Sequence, residues 1–244
     1  MDHIAELRNR LFVAVAAVFV GTALSYVYSE ELFEILLSPL LKVLPPGQNK
    51  VYFTGLLDPF FLYLKLALVC GLFFASPVIL FEVWGFIKPA LYAHERTFAS
   101  IFVISGSVFF VGGALFGYFV IFPFTFEFFI SYTKGYIQPM ITMNDYFSLC
   151  STLLLAFGVL FELPLVIFLL TRLGIVSVET LSKHRRYAMM IIVIAAAFIT
   201  PTGDAVTLLL LAGPLVFLYE GGILASRIAD KFKKKEVKME EIQP

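Results

Sequence analysis

Glu162 is the one charged side chain in the stretch "FGVLFELPLVIFLL" at residues 157–170. If this stretch lies in hydrocarbon, an ionised carboxylate at its centre costs about 3 kcal/mol. Pro164 follows two residues later and cannot donate a hydrogen bond to the carbonyl of Leu160. Together they predict a kinked polar site in an apolar helix. Two interpretations are open: an acid bonded to a neighbouring helix, or a working polar site in a cavity that water reaches.

Two further acids lie in polar segments of the chain. Glu6, in "HIAELRNRLF", precedes Arg10 by four residues, in the order that favours an ion pair on a helix. This segment is either an interfacial helix or a polar surface that meets a partner. Glu95 lies in the aromatic-rich "FEVWGFIKPALYAHERTF", where it could cap the next helix, balance Arg96 or bind a ligand.

Catalytic motifs are missing from the sequence. It has no HExxH, no cysteine cluster and no phosphate-binding G-x-x-x-x-G-K-[ST] loop. The two cysteines lie in or beside apolar runs, as small hydrophobic residues do. We therefore expect no metal and no cofactor, and binding or transport rather than enzymatic catalysis. The net charge of zero gives no indication of a nucleic-acid partner.

The elements that must position these acids are membrane-spanning helices. The chain is 60% hydrophobic with a mean hydropathy of +0.91, above the range of soluble domains. A spanning helix needs about 20 apolar residues. Four runs meet this length and two shorter ones follow, which predicts an all-α integral membrane protein with six spans, the last two of them short: 11–28, 60–81, 98–122, 146–170, 187–200 and 205–219.

Basic residues indicate how these spans are oriented. The loops after the odd-numbered spans contain three Lys and Arg, whereas the termini and the other loops contain fourteen, nine of them before the tail. Because Lys and Arg are retained in the cytoplasm, both termini are predicted to be cytoplasmic.

The segment 29–47 has a helical apolar pattern that ends at Pro45-Pro46, and we expect it to cap the outer surface. Residues 1–228 would form one transmembrane domain, and the charged tail 229–244 would be disordered.

Four stretches resemble the successive signatures of the TatC family: "HIAELRNRL", "SPVILFEVWGFIKPALYAHER", "FGVLFELPLVI" and "RRYAMMIIVIAAAFITPTGDAV". They occur in the family's order over essentially the whole chain. The resemblance implies a multi-pass receptor in the prokaryotic cytoplasmic membrane, with a concave, glove-like bundle of helices. Such receptors bind twin-arginine signal peptides and use the proton-motive force to export folded proteins.

The resemblance also assigns residues and partners. It implies that Glu95 and Glu6 bind the two signal arginines, and it places Arg8 of the "ELR" motif and Phe86 in the same site. A guanidinium can meet a carboxylate with two parallel hydrogen bonds, which a lysine cannot reproduce. Glu162 matches the family's intramembrane acid. The implied partners are single-span TatA-like and TatB-like subunits, the lipid bilayer and further copies of the chain within a larger complex.

The last hairpin departs from the family pattern. It reads "TPTGD", with Leu208 where the family often has Gln, which puts in doubt a hydrogen bond to a single-span partner at that position.

Two other functions remain as alternatives. A small-solute or ion transporter would use Glu162 as its proton or cation site, although no inverted repeat is visible. A structural scaffold would need neither Glu95 nor Glu162 beyond folding.

Overall fold

The structure is a computed structural model that describes residues 2–45, 50–88, 99–132, 140–199 and 204–240. For 2–3, 99–100 and 229–240 only the backbone is described. The regular elements in these ranges are ten α-helices and one π-helical turn, Gly117–Ile121. The α-helices are α1 Asp2–Val27, α2 Ser29–Leu41, α3 Asp58–Ile87, α4 Ala99–Phe116, α5 Phe122–Ser131, α6 Met143–Phe161, α7 Leu163–Arg172, α8 Val178–Lys183, α9 Arg185–Ile199 and α10 Ala205–Glu240.

Five stretches of the described chain are helical, long and apolar enough to cross a membrane: Ile4–Val27, Asp58–Ile87, Ile101–Ser131, Met143–Arg172 and Ala205–Ile228. This confirms the prediction of an all-helical membrane protein. The fifth predicted run corresponds to α9, whose 15 residues rise about 22 Å and fall short of the roughly 30 Å hydrocarbon core. The six-span count therefore stays a prediction.

The last apolar helix is longer than the sequence predicts, so the expectation of a short final span is wrong for α10. The apolar run ends at Tyr219 because Glu220 follows, yet the apolar helix continues to Ile228 and has 24 residues. Glu220 is paired with Arg185 at 2.9 Å, and Ile223 one turn later is buried. A charge with a partner does not end a helix, although it ends a hydropathy run.

The chain divides into two compact units, Met1–Val159 and Leu160–Pro244.

The sequence predicts a disordered tail beyond residue 228, whereas the backbone of α10 is helical through Glu240. Lys and Glu are good helix formers, and a tail that extends an existing helix avoids the cost of nucleation. A transmembrane domain ending at 228 with a separate charged tail stays a prediction.

In the first unit, α1 and α3 pack with their backbones close together at Gly21 and Gly71. A Cβ added to Gly71 would lie 2.5 Å from the backbone nitrogen of Thr22, and one added to Gly21 would lie 2.7 Å from the carbonyl oxygen of Gly71. Small residues at a helix crossing permit this approach between membrane helices. These two glycines therefore set the distance between α1 and α3.

We expect Gly71→Ala to destabilise the purified protein by about 2 kcal/mol, because its Cβ must push the backbone of α1 away. Thermal unfolding followed through the fluorescence of Trp84, the single tryptophan of the chain, measures this. The matched control is Gly112→Ala in α4, where an added Cβ meets nothing within 4 Å. Equal unfolding temperatures for the two variants would contradict the close packing.

Helix α2 packs against α3 and α5 through buried Phe33, Leu36 and Leu40. Pro39 lies inside α2 and cannot donate to the carbonyl of Ile35, four residues earlier. The hydroxyl of Tyr118, in the π-helical turn, donates to that carbonyl at 2.6 Å. The proline thus leaves an acceptor that a neighbouring helix uses, which fixes α2 to the rest of the unit.

A short parallel bridge joins the segment before α3 to the start of α6. The backbone nitrogen of Tyr52 donates to the carbonyl of Ile141 at 3.0 Å, and that of Met143 donates to the carbonyl of Tyr52 at 2.7 Å. With α2, this bridge ties the connecting segments of the first unit to its long helices.

Candidate functional site

Glu162 lies at a break between two helices. α6 ends at Phe161 and α7 begins at Leu163, with Pro164 in its first turn. The Glu162 carbonyl accepts the first hydrogen bond of α7, from the backbone nitrogen of Val166 at 2.9 Å. The interruption of the helix predicted from the Glu162–Pro164 spacing is therefore observed.

The Glu162 carboxyl group has a buried oxygen without a partner. Oε1 is shielded from solvent and forms no hydrogen bond within the described part of the chain. Buried polar atoms in proteins are nearly always hydrogen-bonded, so this oxygen carries a desolvation cost. In the described residues, no neighbouring helix donates a hydrogen bond to this oxygen, and a working polar site at Glu162 stays a prediction.

In the second unit, α10 packs against the start of α7. A Cβ added to Gly222 would lie 2.9 Å from the Cα atom of Pro164, so the two backbones touch at the proline. Two turns further along α7, the hydroxyl groups of Thr171 and Ser226 are hydrogen-bonded at 3.0 Å. These contacts hold the start of α7, and with it the backbone of Glu162, against α10.

The second group of predicted residues lies near the N-terminus of α1. Arg10 donates to Glu6 Oε1 from Nη2 at 2.7 Å and from Nε at 3.1 Å, so the ion pair predicted from the four-residue spacing is confirmed. Arg10 Nη1 also donates to Glu82 Oε2 at 3.0 Å. We call Glu6, Arg10 and Glu82 the acid–arginine triad; it joins α1 to α3.

Sequence reasoning missed Glu82. Its signal was present, because an acid five residues before the end of the long apolar helix α3 needs a partner if it is buried. In the structure the Glu82 side chain is 15% exposed. Gly85, one turn later, makes room for that partner, because a Cβ there would lie 2.0 Å from Arg10 Nη1. The guanidinium therefore lies directly on the backbone of α3.

The remaining predicted residues are placed only in part. Phe86 follows Gly85 in the last turn of α3 and is half-buried, which puts it on the same part of α3 as the triad. Arg8 is exposed on α1 and pairs with nothing in the ranges that the structure describes. Glu95 lies outside the described residues, so its place relative to Glu6 stays a prediction. No group of three or more metal-ligating side chains occurs in the described part of the chain.

Sequence and structure comparisons agree on the family. The model of the family described as Sec-independent protein translocase protein (TatC) matches residues 2–214. A Sec-independent protein translocase protein TatC from Desulforapulum autotrophicum is 45% identical over 96% of this chain and 86% of its own length. One from Aquifex aeolicus is 36% identical over 97% of both chains.

The fold agrees with solved structures of the same family. A crystal structure described as the twin arginine translocase receptor TatC covers 93% of this chain and 99% of its own, with a TM-score of 0.80 and 34% identity. A second, in the detergent DDM, gives a TM-score of 0.81 at 33% identity. The long apolar helices, the family match across most of the chain and this structural likeness establish that the chain belongs to the TatC family of Sec-independent protein translocase proteins.

Proposed function

We propose that this chain is the receptor subunit of a twin-arginine translocase. It binds twin-arginine signal peptides through Glu6 and Glu95, with Arg8 and Phe86 in the same site. With single-span TatA-like and TatB-like partners it exports folded proteins across the cytoplasmic membrane, driven by the proton-motive force. Membership of the TatC family makes it a component of protein transport, not an enzyme.

The observation that supports this proposal most directly is the state of Glu6. Its carboxylate already binds a guanidinium, that of Arg10, with two N–H donors on one oxygen. Its side chain is 37% exposed and therefore open to a second ligand. Charge-assisted bonds of this type are about twice as strong as neutral ones, which suits an arginine of an incoming peptide.

The proposed arrangement in the membrane follows the sequence. Six spans with both termini in the cytoplasm would put Glu6 and Glu95 on the side where signal peptides are made. α2 would form part of the outer cap of a concave, glove-like bundle. Glu162, with its unpartnered Oε1, would lie near the middle of the membrane and serve the signal peptide or a partner helix. Further copies of the chain would join it in a larger complex.

The test is the binding of synthetic signal peptides to the purified chain in detergent or nanodiscs. We expect a twin-arginine peptide to bind at least about tenfold more tightly than its twin-lysine analogue, because lysine loses the bidentate geometry. Fluorescence anisotropy of labelled peptides measures both affinities.

As a control for unspecific charge effects, the two affinities are also measured with Glu179→Ala. This variant removes an exposed acid from α8 on the same predicted side of the membrane. It should leave both affinities unchanged. Equal affinities for arginine and lysine peptides would overturn the proposal, and cation flux through liposomes that contain this chain alone would then support a transporter based on Glu162.

A further inference from the structure

We infer that Glu82 is a positioning residue of the receptor site: it holds the charge of Arg10 on α3 and so leaves Glu6 able to bind a signal arginine. This inference rests on the proposed function and adds a residue to it. It is carried by the geometry of the acid–arginine triad, whose three side chains join α1 to α3.

The first step concerns the oxygens of Glu6. Both Arg10 nitrogens that reach Glu6 donate to the same oxygen, Oε1. Among the described residues, Oε2 accepts no hydrogen bond. A carboxylate has about four acceptor positions on its two oxygens, so Oε2 and the exposed edge of Glu6 stay free for another guanidinium.

The second step concerns charge. Two carboxylates share one guanidinium, so the triad has a net charge of −1 when all three groups are ionised. If Arg10 faced Glu6 alone, the pair would be neutral, and the cation of an incoming peptide would meet no net attraction from this pair. Glu82 supplies the second negative charge and therefore preserves the attraction of the site for cations.

The third step concerns which acid faces outward. Glu82 is 15% exposed, whereas Glu6 is 37% exposed. The less exposed acid is thus the anchor of Arg10, and the more exposed acid is the one that a peptide can reach. Gly85 completes the anchor, because any larger residue would occupy the space of Arg10 Nη1.

A purely structural role makes a different prediction. If the Arg10–Glu82 ion pair were only structural, its loss would lower stability, and its effect on peptide binding would not depend on whether Arg10 is present. The charge-holding role predicts that the effect of losing Glu82 depends on Arg10. Without Glu82, Arg10 turns its whole charge toward Glu6 and competes with the ligand.

The experiment compares three forms of the full-length chain: wild type, Glu82→Gln, and the double variant Glu82→Gln/Arg10→Gln. We expect Glu82→Gln to weaken the binding of a twin-arginine peptide about tenfold, a change typical of one close charge pair. The double variant, which also removes the competing guanidinium, should recover to within about threefold of wild type. Gln replaces Glu at nearly equal volume, and the fluorescence of Trp84 checks that each variant is folded.

The outcomes separate the inference from the proposed function. If wild type binds with arginine selectivity but Glu82→Gln binds equally well, Glu82 has no positioning role and the receptor proposal stands. If both variants are weakened alike, Arg10 does not compete, and the triad is only a structural contact. Absence of binding by the wild type would overturn both. The control Glu179→Gln should match wild type throughout.

Discussion

Charge reversal at Glu95, by Glu95→Lys, is expected to weaken the binding of a twin-arginine peptide at least about 100-fold and to abolish export of its folded cargo. The variant loses the charge-assisted hydrogen bonds of the carboxylate, and it adds a like charge that repels the signal arginines. The affinity is measured by fluorescence anisotropy on the purified chain, and export by the appearance of a folded reporter outside the cytoplasmic membrane.

Two comparisons make this result interpretable. Glu179→Lys introduces the same charge change at an exposed acid on the same predicted side of the membrane, and it should bind and export normally. Membrane levels and thermal unfolding of Glu95→Lys should match wild type, since the prediction concerns recognition rather than folding. Normal export of a twin-arginine substrate by Glu95→Lys would refute the receptor role of this acid.

Replacement of the intramembrane acid, by Glu162→Leu, is expected to raise stability while it abolishes transport. Oε1 of Glu162 is buried without a partner, and removing such a group relieves a desolvation penalty of about 1–3 kcal/mol. Retention of a polar group at this stability cost is typical of functional sites. The free energy of unfolding is followed in detergent, and export is followed in cells.

The control for the stability effect is Glu220→Leu in α10. Glu220 is paired with Arg185, and both side chains are more than a third exposed. Removing the Glu220 carboxylate should therefore change the free energy of unfolding by less than about 1 kcal/mol. We expect no increase in stability of the kind predicted for Glu162→Leu. If Glu162→Leu destabilised the protein, the carboxyl group would have a partner that stabilises the fold. If Glu162→Leu exported cargo normally, the acid would have no role in transport.

Local spacing in the sequence was enough to predict several features of the site. The Glu6–Arg10 pair follows from helix geometry alone, because residues four apart lie one above the other on one face. The break at Glu162 follows from Pro164, which cannot complete the helical hydrogen-bond pattern. Hydropathy likewise predicted the long apolar helices, since the length of an apolar run reflects the thickness of the membrane.

Other features of the fold depend on contacts between residues far apart in the sequence. The carbonyl of Ile35 is freed by a proline that the sequence displays, but its partner Tyr118 lies 83 residues away. The apolar part of α10 continues past Glu220, which ends the hydropathy run but is paired with Arg185. A hydropathy profile counts each charge as exposed and cannot include such partners.

By itself, the sequence determined the all-helical membrane class, because composition and the lengths of the apolar runs encode it. It also determined the family, through four stretches that resemble the family's signatures in order along the chain. Only the tertiary structure decided that Arg10 is shared with Glu82, 72 residues away. That contact requires α1 and α3 to approach as closely as Gly21 and Gly71 permit, with Gly85 leaving space for the guanidinium. Its geometry is a property of how two helices pack, which no single segment of the sequence specifies.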